Sequence, residues 1–158
     1  MINERVAALL VEQVGHELTA HQAYFGISLY FERQSLTKWA RLFHGQSVEE
    51  AQHAAKIISF LVDNEVPFDL PALGPGTATH ASPAAAVRAA LDAELQVTGQ
   101  FETLAGVARE AGDHRSLQFL QWFIDEQLEE ERTMRRLLDL VESGINLFQA
   151  EGLLEGTE

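Results

Sequence analysis

Two stretches of this chain have the same shape, and both place acids inside long helical patterns. The first is Val48-Glu49-Glu50-Ala51-Gln52-His53; the second, Asp125-Glu126-Gln127-Leu128-Glu129-Glu130, lies 77 positions further on. Glu50 and His53 are three apart and so share one helix face, as do Gln127 and Glu130. A lone glutamate precedes each pair by 33 positions, Glu17 before Glu50 and Glu94 before Gln127. Glu17, Glu50 and His53 therefore correspond in order to Glu94, Gln127 and Glu130. A chain built this way is expected to fold as two helical hairpins facing each other around a metal site.

The periodicity supplies the hairpins. Asn3 is placed to cap a helix over about 4–33, whose apolar spacing is Leu9, Leu10, Val14, Leu18, Phe25 and Leu29. Glu17 falls on or beside that stripe, an odd position for a carboxylate without a partner. A second helix, about 36–64, buries Trp39, Leu42, Phe43, Ala54, Ile57, Ile58 and Leu61, with Glu50 and His53 at its middle. Residues 65–82, with Pro83 at their end, hold all the prolines and the Gly74-Pro75-Gly76 turn, so they cannot be helical throughout. A connection this long is uncommon between antiparallel neighbours but can cross a bundle from end to end. The third helix, about 83–111, starts on the cap-and-proline pair Ser82-Pro83 and carries Val87, Leu91, Leu95, Phe101 and Leu104 around Glu94. Gly112-Asp113 ends it and caps the fourth, about 114–143, with Leu117, Leu120, Trp122, Phe123, Ile124, Leu137, Leu138 and Val141. A short fifth helix, about 145–154, needs a neighbour to be stable. The expected fold is all-α, one domain over 1–158: a four-helix bundle with one long crossover and a short C-terminal helix.

Composition narrows the function. A formal net charge of −13 argues against nucleic-acid binding by phosphate neutralisation and suits attraction of cations, although an acidic surface alone would give the same figure. With no cysteine, thiolate metal sites and cysteine-held iron–sulfur clusters are excluded. No stretch reaches the ~20 apolar residues of a spanning helix, and the N-terminus does not read as a secretory signal. The expectation is a cytoplasmic protein with no membrane and no nucleic-acid partner.

Burying four carboxylates is costly unless they are paired or bind metal. No Lys or Arg lies within either cluster, so the natural counter-charge is a cation. Carboxylates with imidazole suit iron or manganese, with zinc as a competitor. Di-metal bundles of this kind take one Glu from each of two helices and Glu-x-x-His from each of the other two. Here the second motif is Gln-x-x-Glu, so the two metals should differ. One would have Glu17, Glu50 and His53; the other Glu50, Glu94 and Glu130, with Gln127 beside it and Glu50 as bridge. Glu49, Glu126 and Glu129 read equally as exposed helix charges, Tyr24 as core, and Trp122 as packing. His21, one turn after Glu17, is expected to pack or pair with an acid, and His16, His44, His80 and His114 to be surface or capping residues.

These residues together resemble the prokaryotic non-haem ferritins over nearly the whole chain. The matching pieces are Glu17 with Tyr24, Glu49-Glu50-x-x-His53, Glu94, and Gln121-Trp122-Phe123 leading into Glu126-Gln127-x-Glu129-Glu130. Bacterioferritins have Glu-x-x-His in the fourth helix and a haem-ligating Met after the second-helix Glu; here those places hold Gln127, Glu130 and Ala51, which points away from haem. The resemblance implies a ferroxidase and iron store that takes Fe(II), oxidises it with O2 or H2O2, and mineralises Fe(III) inside a homo-oligomeric shell of twenty-four subunits with 432 symmetry. It implies Glu17, Glu50, His53, Glu94, Gln127 and Glu130 as the paired iron site. Glu49, Glu126, Glu129 and Glu130 would form a third iron site, and Tyr24 would be an electron donor beside the pair.

Two other readings stand beside it. A di-metal oxygenase or peroxidase would need an apolar pocket next to the metals, and nothing in the sequence marks one. A binding or structural bundle would carry its carboxylates incidentally.

Overall fold

The computed structural model describes residues 1–154. The chain forms α1 (Glu4–Arg33), α2 (Thr37–Asp63), α3 (Pro83–Glu110), α4 (His114–Glu142) and α5 (Leu147–Ala150), followed by a 3-10 turn at Glu151–Leu153. No strand occurs among the described residues, and no helix among them is long and apolar enough to cross a membrane.

Local chemistry sets the helix ends. The Asn3 side chain accepts from the backbone N–H groups of Arg5 and Val6, and Ser82 accepts from Ala85 ahead of Pro83. These contacts satisfy amides that the first helical turn leaves unpaired. Gly112 stops α3 in the left-handed conformation (φ +65°), which costs a glycine little. Asp113 then caps α4 through Ser116 N–H at 3.0 Å, and its other oxygen accepts from Asn3 N–H at 2.9 Å. One carboxylate thus caps α4 and ties the start of α1 to the α3–α4 turn. The depressed pKa of Asp113 follows: burial raises it, but these hydrogen bonds outweigh burial and favour the anion.

The crossover lies along α1. Pro71 sits against Gly15 and Thr77 against Gly26, the Arg33 guanidinium donates to Ala78 O at 2.8 Å, and the His80 ring meets the edge of Tyr30. The chain therefore climbs the length of α1 before α3 begins, and α3 runs parallel to α2. Gly26 is where this approach is tightest: a Cβ there would stand 1.9 Å from Thr77 O.

The core has two apolar halves separated by a polar layer. One half gathers Ile27, Phe31, Trp39, Phe43, Val87 and Leu137. The other gathers Val6, Leu10, Ile57, Leu61, Phe101 and Phe123. Each long helix contributes buried polar residues between the halves: Gln13 and Glu17 on α1, Ser47, Glu50 and His53 on α2, Glu94 on α3, Gln127 and Glu130 on α4; buried Ser28 on α1 and Ser116 on α4 lie outside this layer.

Several sequence expectations need correction. Phe25 and Leu29 are 43% and 38% exposed. The inward face of α1 here passes through Tyr24, Ile27 and Phe31, and Phe25 instead meets the His44 ring at 5.9 Å. Leu95 and Trp122 are each 40% exposed. The fifth helix is shorter than the 145–154 expected, a single α turn tightening into the 3-10 turn. Its neighbour is the start of α2: Trp39 Nε1 donates to Leu147 O at 3.1 Å, and Glu151 accepts from Lys38 N–H at 3.0 Å. Of the two expectations for His21, packing holds, and among the described residues it pairs with no acid. Its Nδ1 lies 2.9 Å from Ser47 Oγ and 2.7 Å from Ser47 O, clamping α1 to α2.

Candidate metal centre

Glu17, Glu50, His53, Glu94, Gln127 and Glu130 all lie in the polar layer, each at most 5% exposed. They form two overlapping groups. In each, one potential ligand atom per residue lies within 4.8 Å of the others: Glu17, Glu50 and His53 in one, Glu50, Glu94 and Glu130 in the second. Glu50 belongs to both. His53 Nδ1 is 3.2 Å from Glu50 Oε2 and 3.7 Å from Glu17 Oε2. Gln127 Nε2 donates to Glu94 Oε2 at 3.1 Å and reaches Thr98 Oγ1 at 3.3 Å. The Tyr24 hydroxyl donates to the other oxygen of Glu94.

Burial governs the protonation of this layer. It pushes the Glu50 carboxyl up to about 10 and Glu130 up to about 8, in the second case with Glu94, Glu49 and Glu126 adding repulsion. Glu94 is raised by burial against the opposing hydrogen bonds from Tyr24 and Gln127. Tyr24 is raised by burial and by the neighbouring carboxylates. For His53 burial works against the charged form, but contact with Glu17 and Glu50 outweighs it and holds the imidazolium to about 10. Protons therefore stand where positive charge is needed. A buried site that must hold protons to offset repulsion is one that a divalent cation can occupy in their place.

The fit to a metal rests on two oxygens. Glu17 Oε2 and Glu50 Oε1 are buried without a hydrogen-bond partner. An unpaired polar atom in a protein interior costs on the order of 1–3 kcal/mol, and both atoms belong to the carboxylate groups described. Four carboxylates, one imidazole and one amide suit hard first-row divalent ions.

The expected third cluster is only partly assembled. Glu126 converges with His53 and Glu130. Glu49 and Glu129 are exposed and join no such group among the described residues, and Glu129 faces Arg132 at 3.1 Å. Trp122 stands with its ring edge-on to His53 at 5.5 Å, and Lys56 Nζ lies 3.9 Å over the Trp122 ring.

Sequence reasoning missed Gln13. It is 1% exposed, and its amide donates to Glu17 Oε1 at 2.9 Å and to Gln100 Oε1 at 3.1 Å. It thereby fixes one oxygen of Glu17 and leaves the other without a hydrogen bond, as groups that orient metal ligands do. Its signal was available: an amide one turn before a glutamate on the same face.

Comparison with known proteins identifies the family and the fold. The family model described as "Ferritin-like domain" matches residues 7–143. Ferritin BfrB of Mycolicibacterium smegmatis is 37% identical over 151 residues, spanning 95% of this chain and 83% of that one. The bacterial non-heme ferritin of Staphylococcus aureus is 30% identical over 131 residues, spanning 83% and 79%. A crystal structure of a novel open pore ferritin from the hyperthermophilic archaeon Archaeoglobus fulgidus superposes over 100% of both chains, with a TM-score of 0.94 and 25% identity. With a bundle, a crossover and a buried acidic layer of this form, the chain belongs to the ferritin-like family, as a prokaryotic ferritin.

Proposed function

We propose that this protein stores iron and is a ferroxidase, oxidising Fe(II) at the pair of sites that share Glu50. The observation that carries this reading is the pair of buried oxygens, Glu17 Oε2 and Glu50 Oε1, that have no hydrogen bond among the described residues and lie in the two carboxylate groups. Fe(II) is the substrate. One ion takes Glu17, Glu50 and His53, and the other takes Glu50, Glu94 and Glu130. Hard carboxylate oxygens favour Fe(III) over Fe(II), which drives the oxidation. Two ions at adjacent sites supply two electrons, enough to reduce one dioxygen to hydrogen peroxide with uptake of two protons. Gln127, spent on Glu94 and Thr98, is a weak ligand or none, and Tyr24 holds Glu94 in orientation. Glu126 with Glu130, and with Glu49 and Glu129 at the rim, takes the product toward storage as ferric mineral. As the resemblance to ferritins implies, the store is placed inside a shell of twenty-four copies, in the cytoplasm. Haem has no part in this reading, because Ala51 stands where the relatives that bind it carry a ligand.

Replacing Glu50 or Glu130 by Ala tests it. Fe(II) oxidation followed by stopped-flow absorbance should fall by more than about 100-fold, beyond the loss typical when only a partner that orients a ligand is removed. Unchanged oxidation in both variants would show the carboxylates to be incidental.

One observation favours a second reading, a di-metal oxygenase or peroxidase. A cavity of about 430 Å³ lies beside Tyr24, a volume an organic molecule could occupy, although the buried Tyr24 ring stands between it and Glu94. Iron loading in air separates the two. A store accumulates iron far beyond the two ions per chain that an oxygenase would retain.

A further inference from the structure

The cavity beside Tyr24 sits between α1, the crossover and the first half of α3. Its walls are small, with Ala23 on α1 and Ala89 and Ala93 on α3, and Gly74–Thr77 of the crossover cover it. None of its lining residues is Asp, Glu, Lys or Arg, in a chain where 22% of residues are charged. Burial lowers the pKa of its imidazole, His80, and His80 Nε2 has no hydrogen-bond partner among the described residues. A smaller pocket of about 120 Å³ shares Ala20, Ala23 and Ala93 with it and extends the groove along the same two helices. The inner wall is Tyr24, whose ring is 1% exposed and whose hydroxyl donates to Glu94. Tyr24 thus touches both the uncharged space and a carboxylate of the polar layer.

The acids that reach solvent near the centre lie on other helices. Glu49 belongs to α2, and Glu126 and Glu129 to α4. A divalent cation is drawn to that acidic face and gains nothing from an uncharged, largely apolar slot. A small neutral molecule has the opposite preference. An organic substrate fits the slot poorly as a reactant, since the Tyr24 ring would keep its carbon atoms away from the metal positions. A molecule of two to four atoms needs only side-chain motion to pass.

We propose that the cavity walled by Ala23, Ala89 and Ala93 is the oxidant's access to the metal centre, admitting dioxygen or hydrogen peroxide along the Tyr24 edge, while Fe(II) arrives from the α2–α4 face. This rests on the ferroxidase reading above.

The test uses the assembled protein. Crystals of the wild type pressurised with xenon should show xenon in the cavity; absence of xenon there overturns the proposal. Ala23→Leu and Ala89→Leu, on separate helices, fill the space from opposite sides. Anaerobic Fe(II) titration should give two ions per chain in the wild type and in both variants. Failure of that titration in the wild type defeats the ferroxidase reading before any oxidant is added. With binding intact, the apparent KM for dioxygen should rise several-fold while kcat at saturating oxidant holds. A parallel rise for peroxide shows that both oxidants use the cavity, and a rise for dioxygen alone assigns it to that gas. Should one variant lose Fe(II) binding, the other and the xenon experiment decide. Unchanged dependence on both oxidants in a variant that binds Fe(II) and whose crystal structure shows the cavity filled overturns the proposal.

Discussion

Glu130 shows how a single residue carries the conflict between fold and site. Buried among other acids, its carboxyl is raised from 4.5 to about 8. The folded, metal-free protein therefore holds a proton there that the unfolded chain releases above pH 4.5. Stability contributed by that proton is fully present below pH 4.5 and is lost as pH rises to about 8, at up to about 1.4 kcal/mol per pH unit. Glu50, Glu94 and His53 are shifted upward too, so they act in the same direction. Glu130→Gln removes one of these contributions without changing shape. In metal-free protein, urea melts should give nearly equal stabilities for variant and wild type near pH 5. The variant should gain progressively up to about pH 8. Parallel curves across that range would mean that Glu130 is not held in its protonated form. Gln13 acts at the same scale; its spacing from Glu17 is visible in the sequence, but its burial and its hold on Glu17 are not. A buried glutamine looks like any helix amide in sequence, and its pairing with Gln100 depends on how α1 crosses α3.

Among the elements, the crossover is the one that decides topology. By running along α1 it sets α3 parallel to α2, which brings Glu94 and Glu130 opposite Glu17 and Glu50. Gly26 makes that path possible, because a Cβ would stand 1.9 Å from Thr77 O, a backbone atom that cannot swing aside. Gly26→Ala should destabilise the protein by about 1–3 kcal/mol, the usual cost of overpacking, despite alanine's better helix propensity. A thermal or urea melt measures it, and a neutral or stabilising result would place the crossover farther from α1. The helix ends were legible in the sequence because capping is local. Asn3, Ser82-Pro83 and Gly112-Asp113 need only their neighbours to act. The convergence of Glu17, Glu50, His53, Glu94 and Glu130 was legible because equal spacings recur on two hairpins. The exposure of Phe25, Leu29 and Trp122 was not, since apolar spacing shows that a helix has a buried face but not where its edges fall. The cavity was invisible for a related reason. It is a gap between three segments, and no residue in it is unusual for its own helix or loop.

At the scale of the whole molecule, two apolar halves hold a charged layer between them. The halves supply the stability and the layer opposes it. This division suits a protein whose site is completed by its substrate. Assembly is the property most open to separate failure. Gel filtration should give a mass many times 17.5 kDa, consistent with a shell of copies, and a mass near that of one chain would reject the shell while leaving the metal site standing. The site itself is tested most directly by anomalous diffraction at the iron edge from a crystal soaked aerobically in Fe(II). Two peaks are expected in each chain, one between Glu17, Glu50 and His53 and one between Glu50, Glu94 and Glu130. A crystal with iron elsewhere and nothing in the buried layer would contradict it.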